Sequence, residues 1–463
     1  MPKTKTFTMR IHFISIGGSA MHNLAIALHK KGYQISGSDD EIFEPSKSRL
    51  AKHKLLPNKI GWDANIITKS LDAVILGMHA KADNPELLAA QELGIKVYSY
   101  PEYIYEQSKD KKRIVIAGSH GKTSITSMVL HVLQKLNKDF DYLVGAQLEG
   151  FDTMVKLTNA PLIVIEGDEY LSSPIDRKPK FLWYKPHTAV ITGIAWDHIN
   201  VFPTFKNYVQ QFDLFLNSLE NGAKVIYYKN DEILHKMIDD TEKDIQRIPY
   251  FTHNYLIRNQ KTFLIEGALE GGNEISVPIF GEHNLQNLSA ALEVCKSIGI
   301  SQTDFYTAIQ SFKGASKRLE LIAENESTKI FKDYAHSPSK LKATTVAVKN
   351  QFKEKRLIAC MELHTFSSLN KNFLAEYAGA MSEADEAIVY FNPKAIQHKG
   401  LKMLDKNDIE KAFLPSKVKV YDKSEEILAY INGLALKDSV LLLMTSGNFD
   451  GINLDDLAKS LIK

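Results

Sequence analysis

Residues 113–129 read RIVIAGSHGKTSITSMV. A β-branched apolar run passes through a glycine turn into Lys-Thr and then into a helical pattern. A short, wholly apolar strand that feeds a helix belongs in a parallel sheet with helices over both faces, so this stretch alone points the chain to an α/β fold. The turn also carries chemistry. Backbone N–H groups and the positive end of the helix face whatever lies above them, which favours an anion. Lys122 adds charge, and Thr123 adds the kind of hydroxyl that reaches magnesium in a P-loop. Gly118 and Gly121 have two residues between them, where the general P-loop has four between its first glycine and the Gly-Lys pair. A plain strand-to-helix turn needs glycine, but it has no packing use for Lys-Thr at the helix start. The segment predicts a bound nucleoside triphosphate and Mg2+.

The same alternation of strand and helix occurs three times along the 463 residues, too many for one ordinary core. Apolar runs at 10–16, 34–37, 73–77 and 96–100 give a first unit, expected over 1–112. The runs at 113–117, 162–166, 188–194 and 223–228, with a less regular β-rich stretch at 250–280, give a second, over 113–313. Those at 329–333, 356–361, 386–391, 418–423 and 440–444 give a third, over 314–463. The predicted architecture is α/β, three domains in series: Rossmann-like, P-loop and Rossmann-like again. Net charge is only +2, so no nucleic acid and no membrane surface is expected as a partner, and phosphates must be held by local devices. No apolar run reaches the roughly 18 residues of a membrane span. Cys295 and Cys360 are too few for a disulfide framework or a cysteine zinc site, and their apolar settings predict buried thiols in a reducing cytoplasm.

Acidic residues mark further candidates. Glu166 and the pair Asp168-Glu169 follow the apolar run LIVI, at the strand end where ligands bind in open parallel sheets. Asp197-His198 follow TAVITGI in the same way. Magnesium takes hard oxygen ligands, which makes Thr123 and Glu166 the first candidates, with His198 beside them. In the first unit, ISIGGSAM lacks the full G-x-G-x-x-G pattern, yet Gly17 and Gly18 permit close backbone approach and a helix follows. Ser38-Asp39 end the next strand, about 20 residues on, where an acid can accept ribose hydroxyls. A nucleoside diphosphate group fits there as well as a nicotinamide cofactor does, and Ser38-Asp39 fit a helix cap too.

The order GGSAM, GSD, GSHGKTS, EGDE, DH, GEHNLQN, RLE and DYAHSP resembles the Mur ligases over nearly the whole chain. That resemblance implies an ATP-dependent enzyme that joins a carboxylate to an amine through an acyl phosphate, as a monomer or weak dimer. It is closest to the branch acting on UDP-N-acetylmuramate. It implies that Gly118, Ser119, His120, Gly121, Lys122, Thr123 and Ser124 bind ATP, with Asn284 and Asn287 at the adenine end and Asp333 on the ribose. Arg318 would reach the phosphates from the third domain, and Lys122, Glu166, His198 and Arg318 would be catalytic. Thr123, Glu166 and His198 would meet the metal. Gly17, Gly18, Ser19, Met21, Ser38, Asp39 and His120 would hold the UDP-sugar. For the amine, the segment DRKPKFLWYKP, between Glu169 and Pro186, is similar to the branch that adds L-alanyl-γ-D-glutamyl-meso-diaminopimelate in peptidoglycan recycling. The branch that adds L-alanine is the alternative. The segment MELHTFSSLNK (361–371) lacks an arginine that both branches carry, which leaves open a non-catalytic UDP-sugar and ATP binder.

Overall fold

The computed structural model describes residues 8–196, 199, 201–267, 271–315 and 318–462. The first sheet is parallel, in the spatial order Gln34–Ser38, Arg10–Ile14, Ala73–Leu76 and Val97–Ser99. The chain moves from the second of these strands outward to one side, then crosses to the other. That reversal leaves a crevice at the carboxyl end of Arg10–Ile14, above which Gly17 and Gly18 open the helix Ser19–Lys30. The apolar run stops earlier than residue 16, because Ser15 turns into the left-handed region (φ 68°). The fourth strand stops at Ser99, whose hydroxyl and Glu102 form a capping box around the helix Tyr100–Glu106 with Pro101 in its first turn. The expected strand at 96–100 is therefore two residues shorter, losing Lys96 at one end and Tyr100 to the helix at the other.

The second sheet has seven strands, ordered Ile245–Tyr250, Ala223–Tyr228, Thr188–Ile191, Lys112–Ala117, Leu162–Glu166, Asp141–Leu143 and Val155–Lys156. All neighbours are parallel except the last pair. Residues 114–117 are fully buried, as a central strand covered on both faces must be. The helix Lys122–Lys135 and the helix Glu282–Ser297 share one apolar core on one face, and Phe181, Phe212 and Phe215 fill the other. The short strands at 141–143 and 155–156 were not anticipated. Each is too brief to show an alternation, and they are the last two strands at one side of the sheet. The β-rich stretch becomes a three-stranded antiparallel sheet, Tyr255–Arg258, Lys261–Glu266 and Asn273–Val277. Asn259 and Gln260, both at positive φ, make its first tight turn.

The third sheet runs Glu320–Glu324, Lys329–Asp333, Ser439–Met444, Arg356–Leu363, Glu386–Phe391 and Val418–Tyr421, parallel apart from its first strand. Phe280 of the second unit inserts against Phe331 and Phe352 of the third, with ring centroids 5.6 Å from each. A Cβ at Gly281 would lie 2.5 Å from that of Ala347, so only glycine permits this approach. Cys295 and Cys360 are buried, and burial pushes both thiols up. Among the described residues, no helix is long and apolar enough to cross a membrane.

Candidate active site

The strand Lys112–Ala117 lies between Leu162–Glu166 and Thr188–Ile191. The chain leaves it first towards one neighbour and later returns on the other side, so its carboxyl end is the switch point of the sheet. Two glycines make the turn there. Gly118 (φ +119°) faces Thr192, whose Oγ1 would be 2.0 Å from an added Cβ, and Gly121 (φ +78°) faces Asn287 Oδ1 at 2.1 Å. Both positions need a positive φ and an open face. The Thr192 hydroxyl donates to the His120 carbonyl at 2.5 Å, and the Ser119 amide donates to the Gly193 carbonyl at 3.0 Å, which pins the loop to the neighbouring strand's end.

The Lys122 ammonium donates to the Gly118 carbonyl at 2.7 Å and to Glu169 Oε2 at 2.5 Å. Burial alone would pull this ammonium's pKa down, but Glu169 and Asp168 more than offset it, and the lysine stays charged. Glu169 is 1% exposed and takes a second hydrogen bond from the Tyr208 hydroxyl at 3.0 Å. Tyr208 also meets Ser119 Oγ at 2.9 Å, and that Oγ accepts from the Ala195 amide at 2.8 Å. One buried tyrosine thus ties the loop to the lysine's counter-ion. The Thr123 hydroxyl donates to Glu166 Oε1 at 2.8 Å, and the Gly145 amide donates to Oε2 at 2.8 Å. Burial raises the Glu166 pKa, against these donors and the nearby charges of Lys122 and Arg318.

Thr123 and Glu166 present oxygen donors side by side at a strand end. Magnesium accepts such a set, because it keeps several waters and takes one or two protein oxygens beside substrate phosphates. His198 lies outside the described residues. Among those described, no cluster of three or more His, Cys, Asp or Glu side chains could hold a metal; the oxygen atoms side by side here are one hydroxyl and one carboxylate.

The third domain reaches this site from above. His120 Nε2 and Ser339 Oγ are 2.7 Å apart. The Arg318 guanidinium stacks 4.5 Å over the Tyr334 ring; burial pushes the Glu166 and Asp333 carboxyls up, and the Arg318 charge offsets only part of that. Asp333 is 8% exposed and accepts from the amides of Leu319 at 2.6 Å and Ala335 at 2.7 Å, so in this structure it fastens the turn that carries Arg318. Asn284 donates to the Phe280 carbonyl at 2.9 Å, one turn before Asn287. Ser124 is buried in the first turn of the helix.

The first-domain residues form a separate site. The Gly17 amide donates to Asp39 Oδ2 at 2.6 Å. Gly18 precedes the helix Ser19–Lys30, which has no side-chain cap, so its first amides remain available. Burial, above all, pushes the Asp39 carboxyl up to about 6. The Ser38 carbonyl accepts from the Ser15 and Ile16 amides, and Met21 packs beside Gly18. Ser19 and Asn23 lean on Met154 of the second domain.

Residues 116–295 match the Mur ligase middle domain. Residues 10–112 match the domain described as Mur ligase family, catalytic domain, and 317–447 the Mur ligase, glutamate ligase domain. A UDP-N-acetylmuramate–L-alanine ligase of Sulfurihydrogenibium sp. (strain YO3AOP1) is 30% identical, over 98% of both chains. The chain belongs to the Mur ligase family. This Mur ligase is therefore an ATP-dependent, amide-forming enzyme of the peptidoglycan pathway, with the family's three domains in series. Its fold also matches the solved UDP-N-acetylmuramate–alanine ligase of Thermotoga maritima (20% identity, TM-score 0.70) and the murein peptide ligase of Psychrobacter arcticus (21%, 0.65), each over 98% of both chains.

The sequence did not single out Tyr208, Thr192, Gly145 or Ser339. Tyr208 lies in an aromatic-rich helix, Phe205–Asn217, where an aromatic reads as core. The segment after Glu169 also has a structural use. Its Phe181 ring packs on Phe212 and Phe215, Trp183 Nε1 donates to Asp176 at 2.6 Å and Lys180 pairs with Asp168 at 2.6 Å. This packing accounts for its composition without reference to an amine.

Proposed function

We propose that this Mur ligase uses ATP to phosphorylate the lactyl carboxylate of UDP-N-acetylmuramate and couples the product to an amine, in the cytoplasm, with domains near 1–112, 113–313 and 314–463. L-Alanine is the first choice of amine, because relatives 28–30% identical over 95–98% of the chain are named for it. The tripeptide L-alanyl-γ-D-glutamyl-meso-diaminopimelate, suggested by residues 176–186, is the comparator. The observation that carries the reading is the part-buried Lys122, charged and held on Glu169, beside the Thr123–Glu166 oxygen pair.

The chemistry follows from charge. A carboxylate cannot be attacked by an amine at neutral pH while its leaving group is oxide or hydroxide, and phosphorylation supplies a better one. Bringing a carboxylate to a triphosphate crowds negative charges. Lys122 would exchange Glu169 for a phosphate oxygen, Arg318 would neutralise the transferring group, and Glu166 with Thr123 would hold Mg2+, which supplies further positive charge when bound. Each such cation is worth on the order of 3 kcal/mol in the barrier. The His120–Ser339 contact would keep the third domain over the loop and so shield an acyl phosphate from water. Gly17, Gly18 and Asp39 would hold the uridine diphosphate. The test is phosphate release from ATP with UDP-N-acetylmuramate and either amine. Release that needs the sugar nucleotide and rises with L-alanine supports the reading; release indifferent to both removes it.

A further inference from the structure

The strand Arg356–Leu363 ends in two titratable side chains that the phosphate loop does not use. Glu362 is 2% exposed, and its carboxylate is fixed by the Thr445 hydroxyl and by the Phe449 amide at 2.9 Å. Burial would push this carboxyl up, but His364, Thr445 and the Phe449 amide outweigh it and hold it below the usual range. His364 places Nδ1 3.7 Å from Glu362 Oε1 and keeps 41% of its side chain exposed. Gly447 makes room for both: a Cβ there would lie 2.8 Å from Glu362 Oε2 and 2.7 Å from His364 Nδ1. The 3.7 Å gap is longer than a hydrogen bond, as is common for acid–base pairs before substrate arrives. Among the described residues, Cys360 on the same strand and Tyr390 on the adjacent one feel the Glu362 charge, and Asp450, in the loop after Thr445, faces Tyr390.

The pair lies on the edge of the third sheet that faces the phosphate loop. His120 follows a central strand and bonds Ser339, which follows a third-sheet strand. Trp196 follows another central strand and meets Phe373 edge-on at 6.1 Å, and Phe373 belongs to the loop that His364 begins. The carboxyl ends of the two sheets therefore converge.

We propose that His364 takes the proton from the incoming ammonium, with Glu362 as the positioning residue that orients the imidazole. This rests on the amide-ligase reading above. An ammonium has no lone pair to offer. His364 Nε2 takes one of its protons, and the freed pair forms the C–N bond at the acyl carbon. The C–O bond to phosphate then breaks, and phosphate departs with that electron pair. The second nitrogen proton passes to the departing phosphate, and the imidazolium returns its own to water through its open face.

His364→Gln and His364→Ala, at a half-open position, should leave the packing intact. At neutral pH the amine-dependent kcat should fall by about 100-fold, with the amine KM changed far less. The deficit should shrink as pH rises towards the amine's own pKa, where free amine no longer needs a base. Glu362→Gln should give a smaller loss and move the acid limb of the kcat profile. An equal loss at every pH, or no loss, overturns the assignment. Trapping the acyl phosphate with hydroxylamine separates the two levels of the argument. If the unaltered enzyme with ATP and UDP-N-acetylmuramate yields no hydroxamate, the underlying reading fails and takes this one with it. If hydroxamate forms while the His364 variants keep a normal pH profile, only the proton-acceptor role falls.

Discussion

Two strand–glycine–helix turns in this molecule share a plan and differ in what surrounds them. At the N-terminal turn, Gly17 and Gly18 lead into an uncapped helix and face one buried carboxyl, Asp39. At the central turn, Gly118 and Gly121 are clamped by Thr192 and Asn287, and a part-buried lysine, two glutamates and a tyrosine converge on the loop. The first offers a ligand uncapped helix amides beside one carboxyl. The second can hold a triphosphate and also balance charge as a phosphoryl group moves. The difference is set by the turn backbone, at positive φ for Gly118 and Gly121 but φ −57° for Gly18, and by what the neighbouring strands carry at their carboxyl ends.

That contrast can be broken most forcefully at Lys122. Lys122→Ala should lower kcat by at least 10²–10³-fold and leave the affinity for UDP-N-acetylmuramate, measured by calorimetry, within about twofold. It should also melt lower, because Glu169 keeps its burial and loses its counter-ion. Equal damage to ATP and UDP-sugar binding would mean that the two turns are not separable.

The glycines give the next largest contrast. Gly121→Ala combines a positive φ with a clash at 2.1 Å and should cost about 1–3 kcal/mol in stability, read in a denaturant melt, while raising the KM for ATP. Gly18→Ala has φ −57° and meets nothing closer than 3.5 Å. It should melt like the parent and weaken UDP-sugar binding by crowding the diphosphate. The reverse order of melting would contradict the clamped-loop description.

A pH titration sharpens the comparison further. The Asp39 carboxyl is pushed up to about 6, so it is a charged acceptor above that pH and gains a proton below it. UDP-sugar affinity should weaken as pH falls through about 6, and the Asp39→Asn variant should lose that dependence. The smallest effect is expected from Tyr208→Phe. It removes a hydroxyl shared by Ser119 and Glu169 and should cost about 1 kcal/mol, seen as a few-fold rise in the KM for ATP with UDP-sugar binding unchanged.

Much of this contrast is legible in the sequence. Gly118, Gly121, Lys122 and Thr123 declare themselves because the residue types needed to meet a phosphate lie within one turn. Glu166 and Glu169 are readable because a buried apolar strand points them at the sheet's ligand-binding edge. Tyr208 and Thr192 are invisible for the opposite reason: their roles depend on tertiary pairing between elements far apart in sequence, and their types are equally at home in a core. Asp333 shows a third case. Its position was anticipated, but its carboxylate is committed to the backbone amides of Leu319 and Ala335. The segment at 176–186 has a packing use that its sequence does not declare, since Phe181 meets the core and Trp183 and Lys180 pair with Asp176 and Asp168.

The central claim is that the lactyl carboxylate becomes an acyl phosphate on the central turn. Labelling that carboxylate with heavy oxygen tests it directly. Turnover with ATP and L-alanine, or with the tripeptide if that is the amine accepted, should deliver one labelled oxygen into the released phosphate. Unlabelled phosphate accompanying amide product would contradict the account.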